Sequence, residues 1–124
     1  MASRIFKTKT FNRWFKSTLL DDIALSAAVE EMERGLIDAR LADGLYKKRL
    51  PLPGRGKRGS VRTVVCSKHK EVWFFIFGFL KNERADISPV EKKALKKLAE
   101  DLLGLSADSI EKMLQRGEIE EVRK

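Results

Sequence analysis

A run of basic residues near the middle of the chain has the residue types and the density needed to do chemistry. Residues 47–62 read KKRLPLPGRGKRGSVR and hold seven lysines and arginines, no acidic residue, two prolines and three glycines. Arginine can contact a phosphate group through two N–H groups at once, and crowding by other cations lowers the pKa of a lysine. The run therefore predicts a site for a phosphate-rich polyanion.

RNA cleavage is a reaction that such a cluster could catalyse. The 2′-hydroxyl attacks the neighbouring phosphorus, which needs a base for its proton, positive charge beside the phosphorane and an acid for the leaving 5′-oxygen. Other catalytic motifs are missing from the sequence: one cysteine and one histidine make no zinc ligand set, and the glycine-rich run lacks the spacing of a P-loop. We therefore expect no metal ion and no cofactor.

Positive charge is concentrated in the middle third of the chain. The formal net charge is +8, yet residues 1–43 sum to zero and residues 85–124 sum to −1, so residues 44–84 carry the whole excess. A local excess of this kind attracts nucleic-acid backbones. Contact with nucleic acid or with the ribosome is the favoured interpretation, and a solvated basic loop that keeps the protein soluble is the alternative.

Length and composition indicate one cytoplasmic domain that spans residues 1–124. A single cysteine, Cys66, excludes an internal disulfide and is typical of a reducing compartment. The amino terminus lacks the apolar run of a signal peptide, and no segment approaches the roughly 20 apolar residues that span a membrane. We expect no membrane partner.

The basic run is predicted to lie on strands that flank a loop. As a strand, residues 45–50 place Lys47 and Arg49 on one face and Lys48 on the other, because strand side chains alternate. Residues 61–66 resume β character and place Arg62 on the face opposite Val61, Thr63 and Val65. The prolines and glycines between these segments favour a loop.

The remaining segments supply a scaffold for these strands. Residues 72–80 are apolar throughout, which suits a central strand, and residues 4–6 read as an edge strand. Amphipathic patterns and caps predict two helices before residue 36 and helices over about 88–117, followed by a flexible tail at 118–124. The prediction is an α+β domain: a small twisted antiparallel sheet, made of an N-terminal edge strand and a three-strand meander, with two N-terminal helices packed on it and further helices at the C-terminal end.

Three motifs resemble the RelE/HigB-type toxins of bacterial toxin–antitoxin modules, in the RelE/ParE superfamily. They are GLYKKR from residue 44, GRGKRGSVRT from residue 54 and FGFLKNER from residue 77. The resemblance covers nearly the whole chain, and the GKRG loop and the KNER sequence are its specific parts. It implies a RelE-like fold and an endoribonuclease that cuts mRNA in the ribosomal A site. The implied partners are the ribosome, mRNA and a cognate antitoxin, including the helix-turn-helix type, with operator DNA reached only through the antitoxin complex.

The resemblance also implies roles for individual cations. Arg49 and Arg62 would stabilise the phosphate, and Lys47 or Lys81 would lie nearest the proton transfers. A register shift of one residue would put Lys48 in place of Lys47. The residues implied in RNA or ribosome binding are Lys48, Arg55, Lys57, Arg58, Asn82 and Arg84.

Two departures and two alternative functions accompany this resemblance. Some relatives carry a tyrosine just after the last strand, where this chain has Ile87 and Ser88, and some carry an arginine at the position of Asn82. The alternatives are a ParE-like toxin that binds DNA gyrase and a non-catalytic regulator that binds nucleic acid. Clustering of the four implied catalytic cations on one face would favour the nuclease.

Overall fold

The structure is a computed structural model and describes residues 3–52 and 60–123. Within these residues it contains strands and helices in both halves of the chain, which confirms the predicted α+β class. In chain order the elements are β1 (Arg4–Thr8), α1 (Lys9–Phe15), α2 (Asp22–Glu33), β2 (Ala39–Ala42), β3 (Leu45–Pro51), β4 (Ser60–Lys68), β5 (Val72–Leu80), α3 (Pro89–Leu103), α4 (Ala107–Gln115) and β6 (Ile119–Glu121). None of the described helices is both long and apolar enough to cross a membrane.

The described strands form one open, mostly antiparallel sheet in the order β2-β3-β4-β5-β1-β6. The meander β3-β4-β5 confirms the prediction, but β1 is not an edge strand. It lies between β5, to which it is parallel, and β6. Ile5 and Phe6 are both buried, one on each face of the sheet, as expected of an interior strand.

The carboxy-terminal tail contains a strand that packs on the sheet, whereas the sequence predicts a flexible tail over 118–124. β6 pairs with β1, and the N–H of Val122 donates to the carbonyl of Ile5 at 2.8 Å. Ile119 and Val122 are 2 % and 4 % exposed. The tail has few apolar residues, but these residues pack against β1 and α4.

Helices cover both faces of the sheet and divide the core in two. We call the side packed by α1 and α2 the α2 face, and the side packed by α3 and α4 the α3 face. The α2 face includes Val65 and Phe75, and the α3 face includes Cys66 and Phe74. The sheet thus separates two apolar layers. Neighbouring residues of a strand point into different layers, except at the irregularity in β5, where Ile76 and Phe77 belong to the same layer.

Contact between α1 and the sheet depends on a glycine in β5. A Cβ atom at Gly78 would lie 2.2 Å from Cζ3 of Trp14, which is too close for two non-bonded carbon atoms, so the ring would have to move. Thr63 is the residue opposite Gly78 on β4, and it is buried. The apolar stripe of α1 therefore packs directly on the backbone of β5, on the α2 face.

Candidate active site

Strand pairing brings three of the predicted cations to one end of the α3 face. Arg49 of β3 is directly opposite Arg62 of β4, and Lys47 is opposite Val64, a core residue of that face. Side chains of directly opposed residues lie on the same face, with Cβ atoms about 5 Å apart. Arg49 is exposed, and Arg62 and Lys47 are half-buried. We call these three residues the basic surface.

The two arginines of the basic surface repel each other. Like charges on directly opposed residues destabilise a sheet. Compensation is weak: the guanidinium of Arg49 lies 3.9 Å from the carboxylate of Asp38, and that of Arg62 donates a hydrogen bond of 3.5 Å to Oγ of Ser60. The basic surface therefore retains positive charge that an external anion can neutralise.

Asp86 is a site residue that sequence reasoning missed. Nζ of Lys47 donates to both carboxylate oxygens of Asp86 at 3.1 Å, and the N–H of Ile87 donates to one of them at 2.8 Å. The Ile87 N–H and then Lys47 lower the pKa of Asp86, and the charge of Arg62 adds to the effect. An aspartate two residues before the helix cap Ser88 indicates only a turn, so this contact could not be predicted from the local pattern.

Arg84 lies beside the basic surface and packs on two aromatic rings. Its Cζ atom is 5.1 Å from the ring centroids of both Phe77 and Phe79. Nη1 donates to Oε1 of Glu91 at 2.7 Å, which joins the segment after β5 to the start of α3. Phe79 is directly opposite Arg62, so Arg84 is close to the basic surface.

Lys48 lies away from the other cations, on the α2 face. Its side chain is 9 % exposed, and Nζ lies 2.8 Å from the carboxylate of Glu31 and donates to the carbonyl of Leu36 at 3.0 Å. The predicted alternation of β3 is therefore confirmed. Lys48 thus lies on the other face of the sheet from Lys47, with its ammonium group bound to Glu31 and Leu36.

The remaining predicted site residues lie in the segment after β5 or outside the described residues. Lys81 and Asn82 are exposed in the turn after β5, and the ammonium of Lys81 makes no ion pair with a described residue. The turn follows Leu80, which is opposite Val61, so it lies at the same end of the sheet as Arg62. The predicted loop cations lie outside the described residues: Arg55, Lys57 and Arg58.

A comparison with protein families decides what kind of protein this is. The family model described as the RelE toxin of the RelE / RelB toxin-antitoxin system matches residues 3–122. The chain belongs to the RelE toxin family. The match confirms the resemblance and includes α3, α4 and β6, so these elements are part of the family domain. The family description pairs a RelE toxin with an antitoxin. No curated protein matches the chain.

In the described part of this RelE-family toxin, neither a metal-binding group nor the cysteine thiol contributes to the basic surface. In the described parts of the chain, no group of three or more His, Cys, Asp or Glu side chains is placed to hold a metal ion. Cys66 is buried under α3, and burial raises the pKa of its thiol to about 12. The groups available at the basic surface are therefore its cations, with Asp86 and Arg84 next to them.

Proposed function

We propose that this RelE-family toxin is a ribosome-dependent endoribonuclease that cuts mRNA in the ribosomal A site and thereby stops translation. The observation that supports the proposal most is the convergence of Lys47, Arg49 and Arg62 at one solvent-accessible end of the α3 face. Two opposed arginines with weak internal partners suit a phosphate that gains negative charge during reaction.

In the proposed reaction the basic surface surrounds the phosphate that is cut. Arg49 and Arg62 bind its non-bridging oxygens and stabilise the phosphorane. The 2′-oxygen loses its proton to a base and bonds to phosphorus, the bond from phosphorus to the 5′-oxygen breaks, and the leaving oxygen takes a proton. The products are a 2′,3′-cyclic phosphate and a 5′-hydroxyl. Lys47 or Lys81 lies nearest the proton transfers, and Asp86 orients Lys47.

The wider contacts of the toxin follow the charge of the sequence. Four cations and one amide contact RNA and the ribosome in this proposal, whereas Lys48 makes no such contact because its ammonium group is buried. A cognate antitoxin, for which the helix-turn-helix type is one candidate, masks the basic surface. The toxin contacts operator DNA only within its complex with the antitoxin. The toxin acts in the cytoplasm. The assigned contact residues are Arg55, Lys57, Arg58, Asn82 and Arg84.

Inducible expression in bacteria tests the proposal. Wild type is compared with a triple variant in which Lys47, Arg49 and Arg62 are changed to Ala, and mRNA 5′ ends are mapped after induction. A control with the same loss of charge changes three exposed cations near α1 to Ala: Lys9, Arg13 and Lys16. We expect growth arrest and cuts confined to translated regions for wild type and control, and neither for the triple variant.

Other outcomes would select the alternative functions. Arrest without mRNA cuts would point to a ParE-like toxin that binds DNA gyrase or another target. A folded, well-expressed chain that causes no arrest and binds nucleic acid in a salt-sensitive way would be a regulator, since such binding depends on phosphate contacts. Cuts that persist in the triple variant would remove the basic surface from the reaction.

A further inference from the structure

Arg84, Phe77 and Phe79 form a small stacked unit next to the basic surface, which we call the shelf. The two rings project from β5 on the α3 face with their centroids 6.2 Å apart, and the guanidinium of Arg84 covers both. The side chain of Arg84 is still 37 % exposed. A planar cation is thus held on one side by aromatic rings while solvent reaches the rest of it.

The position of Arg84 is fixed before any ligand arrives. Its partner Glu91 is itself held by the capping box of α3, because its carboxylate accepts from the N–H of Ser88 at 2.8 Å and the N–H of Glu91 donates to Oγ of Ser88 at 3.1 Å. A side chain that is already ordered loses little conformational entropy when it binds. The shelf therefore has the preorganisation that a binding surface needs.

The shelf lies in line with the two arginines of the basic surface. Arg49, Arg62 and Phe79 are direct neighbours across β3, β4 and β5, and adjacent strands are about 4.8 Å apart. Arginine planes and aromatic rings are the surfaces on which proteins stack unpaired RNA bases. We propose that the shelf stacks the nucleobase next to the phosphate that Arg49 and Arg62 bind.

This inference rests on the proposed function, and it adds a selectivity to it. A guanidinium plane backed by two aromatic rings offers a base a stacking surface, and a base that stacks on it is not recognised by its hydrogen-bonding edge. Purines present a larger π face than pyrimidines, so a purine at the stacked position binds more tightly than a pyrimidine, and an abasic site binds least tightly. The preference is graded, because every base can stack.

Binding to programmed ribosomes tests the shelf. The A-site codon carries 2′-deoxyriboses, which cannot be cut, and each of its three positions in turn carries 2-aminopurine or an abasic site. For wild type we expect affinity about tenfold lower with the abasic site at one position, which corresponds to stacking of one base. We also expect the fluorescence of 2-aminopurine at that position to be quenched.

Three variants separate stacking from charge and from stability. Arg84→Lys keeps the charge and a partner for Glu91 but removes the plane, so its ratio of affinities for base and abasic codons should fall to about one. Glu91→Gln keeps the plane and the capping box but removes the ion pair that positions Arg84, so its ratio should lie between those of wild type and Arg84→Lys. Arg116→Lys makes the arginine-to-lysine exchange at an exposed position outside the site and should keep the tenfold ratio, whatever its thermal stability.

Failure of the shelf and failure of the nuclease give different results. A wild-type toxin that binds with equal affinity to base and abasic codons at all three positions, or an Arg84→Lys variant that keeps the wild-type ratio, would overturn the shelf alone. A wild-type toxin that shows the ratio but never cuts a ribose codon would overturn the nuclease and leave the shelf. Should wild type not bind ribosomes, the same ratios measured on the free RNA decide the matter.

Discussion

Lys47 and Lys48 are neighbours in sequence, yet they belong to different parts of the molecule. Lys48 points to the α2 face, where Glu31 and the carbonyl of Leu36 take up its ammonium group. Lys47 points to the α3 face, where its partner is the exposed carboxylate of Asp86, beside an arginine pair with little compensation. Lys48 therefore contributes to the packing of the fold, whereas Lys47 belongs to a surface whose positive charge is only partly neutralised.

On the α2 face, acidic residues of a single helix, α2, neutralise the buried lysines. Lys7 of β1 is 4 % exposed, lies 2.8 Å from Asp22 and sits over the ring of Phe15 at 4.7 Å. Asp22 and Glu31 both belong to α2, so an acidic helix supplies the partner of each buried lysine. A buried ammonium group without such a partner would be strongly destabilising. The two faces therefore differ in how their cations are compensated: each buried lysine of the α2 face has an acidic partner, whereas the arginine pair of the α3 face has only weak partners.

Arg62→Ala should have the largest effect of the changes considered, and the effect should be on activity. Loss of one charged donor from a preorganised oxyanion site typically lowers a rate about 10²- to 10³-fold. Thermal unfolding should change little, since the change also removes repulsion with Arg49. Single-turnover cleavage on ribosomes and a melting curve measure the two effects. A folded variant that cuts mRNA at the wild-type rate would remove Arg62 from the site.

Gly78→Ala should show that the α2 face is built for packing. The added methyl group overlaps the ring of Trp14, and overpacking of this kind costs about 3 kcal/mol at its upper range. Gly104→Ala is the matched control, because its Cβ would come no closer than 3.3 Å to another atom. Denaturant unfolding of the two variants gives the comparison. Equal stability would mean that α1 does not pack on β5 as described.

Lys47→Met and Lys48→Met form a crossed pair that tests the contrast between the two faces directly. Lys48→Met should lower the free energy of unfolding by about 1–2 kcal/mol, because the carbonyl of Leu36 loses its donor, and should leave cleavage by the folded protein unchanged. Lys47→Met should lower the rate of cleavage and leave the free energy of unfolding nearly unchanged. Unfolding and cleavage are measured on both variants. Loss of cleavage in a stable Lys48→Met protein would contradict the assignment of this lysine to the scaffold.

Local sequence patterns were sufficient for the features that depend on local rules. The alternation of β3 separates Lys47 from Lys48, and the helix predicted to begin at about residue 88 starts with the capping box of Ser88 and Glu91. Each of these rests on backbone geometry within a few residues. The apolar run of β5 likewise predicted a central strand.

Features that depend on distant partners could not be read from the same patterns. β1 reads as an edge strand because nothing near it shows that β6, more than 100 residues later, will cover its open side. β6 reads as a flexible tail for the same reason. Asp86 joins the site only because the turn after β5 returns to β3, where Lys47 lies 39 positions away. Pairing across such separations is a tertiary property.

The pKa of Asp86 offers the finest test of the contrast, with the smallest expected effect. Its carboxylate is stabilised first by the N–H of Ile87 and then by Lys47, so Lys47→Met should raise the pKa toward the usual value without reaching it. Lys48→Met should leave it unchanged, because Lys48 is on the other face. Titration of the carboxyl carbon by NMR measures both. A pKa that moves in neither variant would mean that Lys47 is already free in solution, whereas the expected rise would mean that an RNA phosphate must compete with Asp86 for it.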